Sequence, residues 1–449
     1  MVEQLKQIAA DVIAMAKEAG ATGAECNVSQ GEEFDAQVRC GEVEQVKESG
    51  SRGAGIRVLF GRNTGSSYTS DLTPEGLRTM VRQAVDLAKI TTEDPHAGLP
   101  DASELGQIGQ DLQLASYDLD GMEAAAKIAL AQRAEAAALG FDARITNSEG
   151  GSFGSRISRH AFANSLGFVG GYETTSCSIS AVPVAQHEGR MERDYWFHSA
   201  RGAGQLESPE HIGVRAAERV IRRLGARKVP TQQAPVIFEP RVARSLLGHI
   251  FEAINGDAIY RRASFLQDKL GEQVASAAVT VVDDATIPGL FGSSPYDDEG
   301  VPSRRTVVIE KGVLKSYLLN TYTARKLGMK TTGNASRGLT GNASIGHGNL
   351  YIEKGPLSVK ELLRQAGTGF YVTELMGFGV NSVTGDYSRG ASGLWVENGE
   401  IAFPVAEVTI AGNLKDMLKN IEAVADDLEF RGAVASPTLL LGGMTISGT

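Results

Sequence analysis

Four groups of residues in this 449-residue chain are of types that do chemistry. Gly150-Gly151-Ser152-Phe153-Gly154 matches G-x-S-x-G, the pattern that presents a nucleophilic serine. That chemistry needs a strand, a strained turn and then a helix. Residues 155–160 instead alternate like a strand, so Ser152 reads as part of a glycine turn. Asp297-Asp298-Glu299 is a dense carboxylate run that could hold a hard cation through several oxygens. It lacks the alternating spacing and closing glutamate of a calcium loop, so a solvated turn is expected. His249 lies in a window running from Arg244 and Ser245 to Glu252. At about 100° per residue it projects between Val242, Leu246, Ile250 and Ala253 on the apolar face of a helix. Glu252, three residues on, is within side-chain reach. One histidine and one carboxylate fall short of the three protein ligands typical of catalytic zinc. The window alone therefore reads as a core histidine with one hydrogen-bond partner. Cys26, Cys40 and Cys177 have no metal-binding spacing, and their odd number argues against a disulfide framework. There is no GxxxxGK loop, no GxGxxG fingerprint and no HExxH, so nucleotide binding has no support.

The elements that must position these residues are legible from periodicity. A helix is expected over residues 3–19, where Leu5, Ile8, Ala9, Val12 and Ala16 share a face and Gly20 offers a stop. Strands are expected around residues 24–28, 34–38 and 51–60. Thr73 caps a helix that starts at Pro74. Further helices are expected over 122–139 and 214–224. Residues 225–233 read as a linker, followed by a strand over 235–238 and a helix over 241–254. Hairpins are expected about Lys311-Gly312 and Asn398-Gly399. Residues 375–393, rich in glycine, read as loop, and 436–446 as a final strand. These elements predict an α+β protein of two domains, an α/β domain over 1–228 and a β-rich domain over 229–449. Lys+Arg 44 against Asp+Glu 54 gives a net charge of −10. Such a chain lacks the broad basic surface that nucleic acids or anionic membranes attract. The first residues mix charges into their apolar positions, and no run approaches about 18 apolar residues. A cytoplasmic protein that binds neither nucleic acid nor membrane is expected.

Ten stretches in order make the chain similar to one known family. They are RITNSEGGSF (144–153), MERDY (191–195), APVIF (234–238), YRRASFL (260–266) and YDDEGV (296–301). YTARKLG (322–328), VTELMG (372–377), GDYSRG (385–390), WVENGEI (395–401) and TIAGNLKD (409–416) follow. The chain resembles the TldD/PmbA family, formerly called modulators of DNA gyrase, and within it the PmbA (TldE) branch. The resemblance implies a C-terminal β-rich domain with barrel-like antiparallel or mixed sheet. It implies a TldD-like partner subunit, with homodimers possible alone, in a cytoplasmic zinc peptidase. Such complexes clear unfolded or small peptides, among them antitoxins, and remove leaders from peptide-antibiotic precursors. In TldD the metal motif is His-Glu-x-x-x-His, with a cysteine near the C-terminus as third ligand. Here its positions fall on Arg244, Ser245 and His249, and the cysteine position falls near residues 431–437, which contain none. With His249 the only surviving ligand position, no zinc and no catalytic residue is expected in this chain. Zinc is expected in the TldD partner, and His249 and Glu252 are expected to line a peptide chamber. Two other readings stand beside this one. One is a peptide-binding or regulatory module without proteolysis. The other is an independent hydrolase using Ser152 or the carboxylates of residues 297–299.

Overall fold

The computed structural model describes residues 1–448. The two largest β-systems among the described residues each pack against helices. The first is a seven-stranded antiparallel sheet running Asn63–Thr69, Glu42–Phe60, Gly23–Arg39, Ile145–Asn164, Val169–His187 and Arg190–Arg193, with Trp196–Ala200 also paired to Val169–His187. Its longest strands span 17 to 20 residues and curl into half a barrel. Alternate residues point to opposite faces of a strand, so one face of this sheet can be uniformly apolar. Cys26, Val28, Ile56 and Val58 pack under the helices Val2–Glu18 and Pro74–Ile90. Phe34, Val38, Phe153 and Ile179 pack under Ala124–Leu139 and Pro209–Ile221. The latter pair approach so closely that a Cβ on Gly213 would sit 2.2 Å from the Ala134 carbonyl oxygen.

The second system is a five-stranded barrel. Gln232–Phe238, Gly369–Met376, Asp386–Glu397, Glu400–Asn413 and Leu439–Ser447 pair in a ring, closed by Thr409–Ala411 against residues 445–447. The helix Pro240–Ile254 contributes Leu246, Leu247 and Ile250 to the barrel core, beside Phe238, Phe370 and Leu441. Full burial of such a side chain contributes about 1.5–3 kcal/mol. A separate five-stranded sheet, with Val313–Leu314 at one edge, Val281–Asp284 at its centre and Val434–Ala435 at the other edge, supplies Val281, Val308 and Leu350 to that same core.

The expected helices and both hairpins are present, with Asn398 and Gly399 both at positive φ, as the tight turn demands. Thr73 accepts a hydrogen bond from the Gly76 amide. Three expectations are corrected. The helix expected over 214–224 is Pro209–Ile221, started by the Ser208 side chain on the His211 amide. The strand expected over 51–60 is Glu42–Phe60, because Gly23–Arg39 pairs along its whole length. Residues 375–393 are not one loop: Asp386–Glu397 is a barrel strand, and only 377–385 lie between strands. The glycines there serve close approach and bulging, since a Cβ on Gly393 would sit 2.0 Å from the Tyr371 carbonyl oxygen, next to a register shift. No described helix is long and apolar enough to cross a membrane.

Candidate functional site

Where the first sheet's last helix meets the barrel's first, a cavity of ≈ 500 Å³ opens. Trp196, Arg219, Arg241, Arg244, Tyr371 and Ser436 are among the residues that line it. Arg219 comes from the Pro209–Ile221 helix, and Arg241 and Arg244 come from the Pro240–Ile254 helix. Ser436 follows the Val434–Ala435 strand. The positions of Arg244 and of residues 434–436, separate in sequence, thus share one wall.

An ion-pair network holds that wall. Arg219 donates to Glu239 through Nη1 and Nη2 at 3.2 and 2.8 Å, and its Nε lies 3.3 Å from Asp194. Arg222 reaches Glu239 at 3.4 Å, and Arg241 reaches Asp194 at 3.4 Å. Burial alone would raise the Asp194 carboxyl, but Arg219 and Arg241 beside it hold it below the usual carboxylate range. Arg219, Arg241 and Arg431 also stand over the Trp196 ring, at 5.4, 5.9 and 4.3 Å from its centroid. Arg244 differs from the rest: among the described residues no hydrogen bond, ion pair or ring contact engages it.

Ser245 donates its hydroxyl to the Val242 carbonyl at 2.7 Å, back into its own helix. His249 is not among the lining residues of this cavity. It packs edge-on against Tyr387 at 6.1 Å. Burial, with Arg389 nearby, outweighs Glu252 and holds its pKa below the ordinary value. The expected hydrogen bond to Glu252 is absent: Nδ1 to Oε2 is 3.9 Å, and both ring nitrogens are buried without partners. Glu252 is exposed, because a step of three residues carries it off the packed face, and it lines a different cavity of ≈ 690 Å³ with Asn255, Tyr260 and Tyr322.

These residues do not fit a catalytic metal. Zinc needs about three protein ligands and an open position. At the motif positions stand an unpaired guanidinium, a hydroxyl bonded to its own helix, and a histidine that packs on Tyr387 and does not line the cavity. The metal-spaced trio among the described residues is His198, Glu207 and Glu429. The Arg431 guanidinium already bridges both carboxylates at 2.7 Å, and His198 Nδ1 accepts the Glu207 amide. That trio is an ion-paired cluster.

Two other sequence candidates are placed differently from expectation. Ser152 is neither on an elbow nor in a turn: it lies inside the Ile145–Asn164 strand, its Oγ 2.7 Å from Ser180 Oγ. The glycines of its motif serve packing. A Cβ on Gly151 would sit 2.4 Å from the Ala131 carbonyl oxygen of the overlying helix, and Gly150 has φ +125°. The carboxylate run is no solvated turn. Asp297 and Glu299 are buried and Asp298 is half-buried. Asp297 accepts from the Glu299, Val301 and Ala335 amides, and Glu299 accepts from the Thr321 amide. They satisfy backbone donors where two loops meet, which is why they tolerate burial. Cys26 and Cys177 are buried with thiols pushed up to about 12 by burial, while Cys40 is exposed.

Sequence reasoning missed the arginine wall. Its signal was present: Arg215, Arg219, Arg222 and Arg223 recur at helical spacing before the linker.

Comparison with known proteins follows this geometry along the chain. Profiles described as PmbA/TldA metallopeptidase domain 1, central domain and C-terminal domain match residues 24–88, 117–224 and 231–448. Metalloprotease PmbA of Escherichia coli O157:H7 is 42% identical over 426 residues, covering 95% of this chain and 92% of that one. A Bacteroides thetaiotaomicron crystal structure, assigned as a modulator of DNA gyrase, superposes with a TM-score of 0.91 at 28% identity, covering 99% of each chain. TldE from Thermococcus kodakarensis shares the fold, with a TM-score of 0.87 at 22% identity over 98% of this chain and all of that one.

Proposed function

The chain belongs to the PmbA/TldD metallopeptidase family, and on that premise we propose that it is the zinc-free subunit of a cytoplasmic peptidase. Its partner is a TldD-like chain that carries the metal. The observation that carries this reading is the unpaired Arg244 at a ligand position, in the wall where residues 434–436 offer no cysteine. A fixed cation there opposes a dication, and Ser245 cannot replace a carboxylate as general base at neutral pH. The substrates in this reading are unfolded or small peptides, held in a chamber that the two subunits complete. In this reading His249 lines the chamber through its half-buried edge, and Glu252 through its own cavity. The domain boundary proposed at 228/229 is supported by the apolar clusters. Two draw only on residues up to 224, and the largest only on residues from 229. A cytoplasmic setting is supported by three cysteines that form no disulfide.

The test is reconstitution. Co-expressed with a family partner whose His-Glu-x-x-x-His motif is intact, this chain should co-purify, and the complex should cleave an unfolded peptide. Mutating the partner's motif should abolish cleavage, whereas Ser245→Ala here should not. Cleavage by the isolated, metal-stripped chain would refute the reading. Stable co-purification without any cleavage would favour a regulatory module.

A further inference from the structure

We propose that the arginine-walled cavity binds the C-terminal end of a peptide, with Arg244 holding its carboxylate. The proposal rests on the peptide-handling reading above and adds the part of the peptide recognised. At ≈ 500 Å³ the cavity lies within the usual range for small-ligand sites. Arg244 is half-buried and has no partner, although every arginine near it is engaged. Together with Arg219, Arg222 and Arg241 it makes four guanidiniums, and only Glu239 and Asp194 pair with them. A planar guanidinium fork matches a carboxylate through two parallel hydrogen bonds. Glu239 and Asp194 are already engaged by its three neighbours, so neither is paired with Arg244.

The rest of the wall decides which anion. Phe197, Tyr371 and Val434, beside the arginine-covered Trp196 ring, give it an apolar side that can take the last side chain of a peptide. Asp427 and Glu429 stand in the same wall and offer acceptors for peptide N–H groups. Asp427 already accepts from the Thr438 amide and hydroxyl, yet each carboxylate oxygen can take a second donor. A phosphate dianion would bring twice the charge of a peptide carboxylate towards these acidic groups and no amide N–H to bond them. A peptide end, with one carboxylate, one amide N–H and one side chain, uses all three kinds of surface.

The experiment uses the full chain without a partner and follows Trp196 fluorescence and heat of binding. The second tryptophan, Trp395, is buried in the barrel core and serves as background. The probes are N-acetyl-Ala-Ala-Leu as the free acid, the same peptide as its C-terminal amide, and inorganic phosphate. The acid should bind at least about tenfold more tightly than the amide, the effect of one charge-assisted hydrogen bond. Arg244→Gln should bring the acid down to the level of the amide, and Arg244→Lys should fall between. Arg244 makes no hydrogen bond or ion pair through its side chain, and Gln and Lys keep most of its aliphatic stem, so both variants should keep the parent far-UV spectrum and melting temperature. Equal binding of acid and amide, acid binding unchanged by Arg244→Gln, or binding of phosphate alone would overturn the proposal. None of these outcomes depends on cleavage or on a partner, so failure here leaves the reconstitution test standing, and the reverse holds.

Discussion

Arg219 and Glu239 face each other through two hydrogen bonds at 2.8 and 3.2 Å, with side chains only 6% and 5% exposed. One comes from the last helix of the first sheet's layer, and the other immediately precedes the first helix of the barrel. Their pair is a clamp between the two β-systems.

Glu239→Gln should therefore destabilise the chain by about 3–5 kcal/mol, the cost of leaving a buried charge without its partner. Arg219 and Arg241 would be left with Asp194 alone, and Arg222 would lose its ion pair. Calorimetric melting checks this. The double variant Arg219→Met, Glu239→Gln should lose less than the sum of the two single losses, because the two side chains act as one unit.

Elemental analysis of the purified chain should find much less than one zinc per chain. Stoichiometric zinc lost on His249→Ala would contradict the geometry, in which His249 and the Arg244 wall do not converge.

Restoring the motif on paper, with Arg244→His, Ser245→Glu and a cysteine among residues 432–436, should add some zinc affinity but little peptidase activity. The two histidines would be five residues apart, about 140° around an ideal helix. His249 now packs on Tyr387, so the helix would have to distort near Gly248 to bring both to one metal. Full peptidase activity of the repaired chain would show that only its ligands had been lost.

Ser152→Ala should leave cleavage by the reconstituted complex unchanged. Its cost is the Ser152–Ser180 hydrogen bond, about 0.5–1.5 kcal/mol in melting experiments. A loss of turnover with intact folding would restore the nucleophile reading.

His160 gives a pH signature. Burial lowers its pKa below the ordinary value, against the Tyr172 ring at 5.3 Å. As pH falls through about 6.5, the unfolded chain takes up a proton that the native state refuses, so stability falls with it. His160→Phe should flatten part of the loss of melting temperature between pH 7 and pH 5. An unchanged slope would show that His160 does not titrate differently on folding.

What the sequence determined was whatever depends on near neighbours. The helix at Pro74, the hairpin at Asn398-Gly399 and the apolar stripe Val242, Leu246, Ile250 follow from capping, turn and period rules that act over a few residues. The family likeness, and the presence of Arg244 and Ser245 where the resemblance implies a histidine and a glutamate, are equally local observations. Tertiary structure decided the rest. Glu239 lies 20 residues from Arg219 and 45 from Asp194, yet the three share one buried network. No periodicity encodes such a meeting, because Coulomb and packing energies depend on distances in space. The same reason reverses the reading of residues 297–299: carboxylates that look solvated become buried once loops from elsewhere bring amides to bond them. It also explains Gly150 and Gly151, whose spacing suggests a nucleophile, whereas the helix pressing on the strand is what requires them.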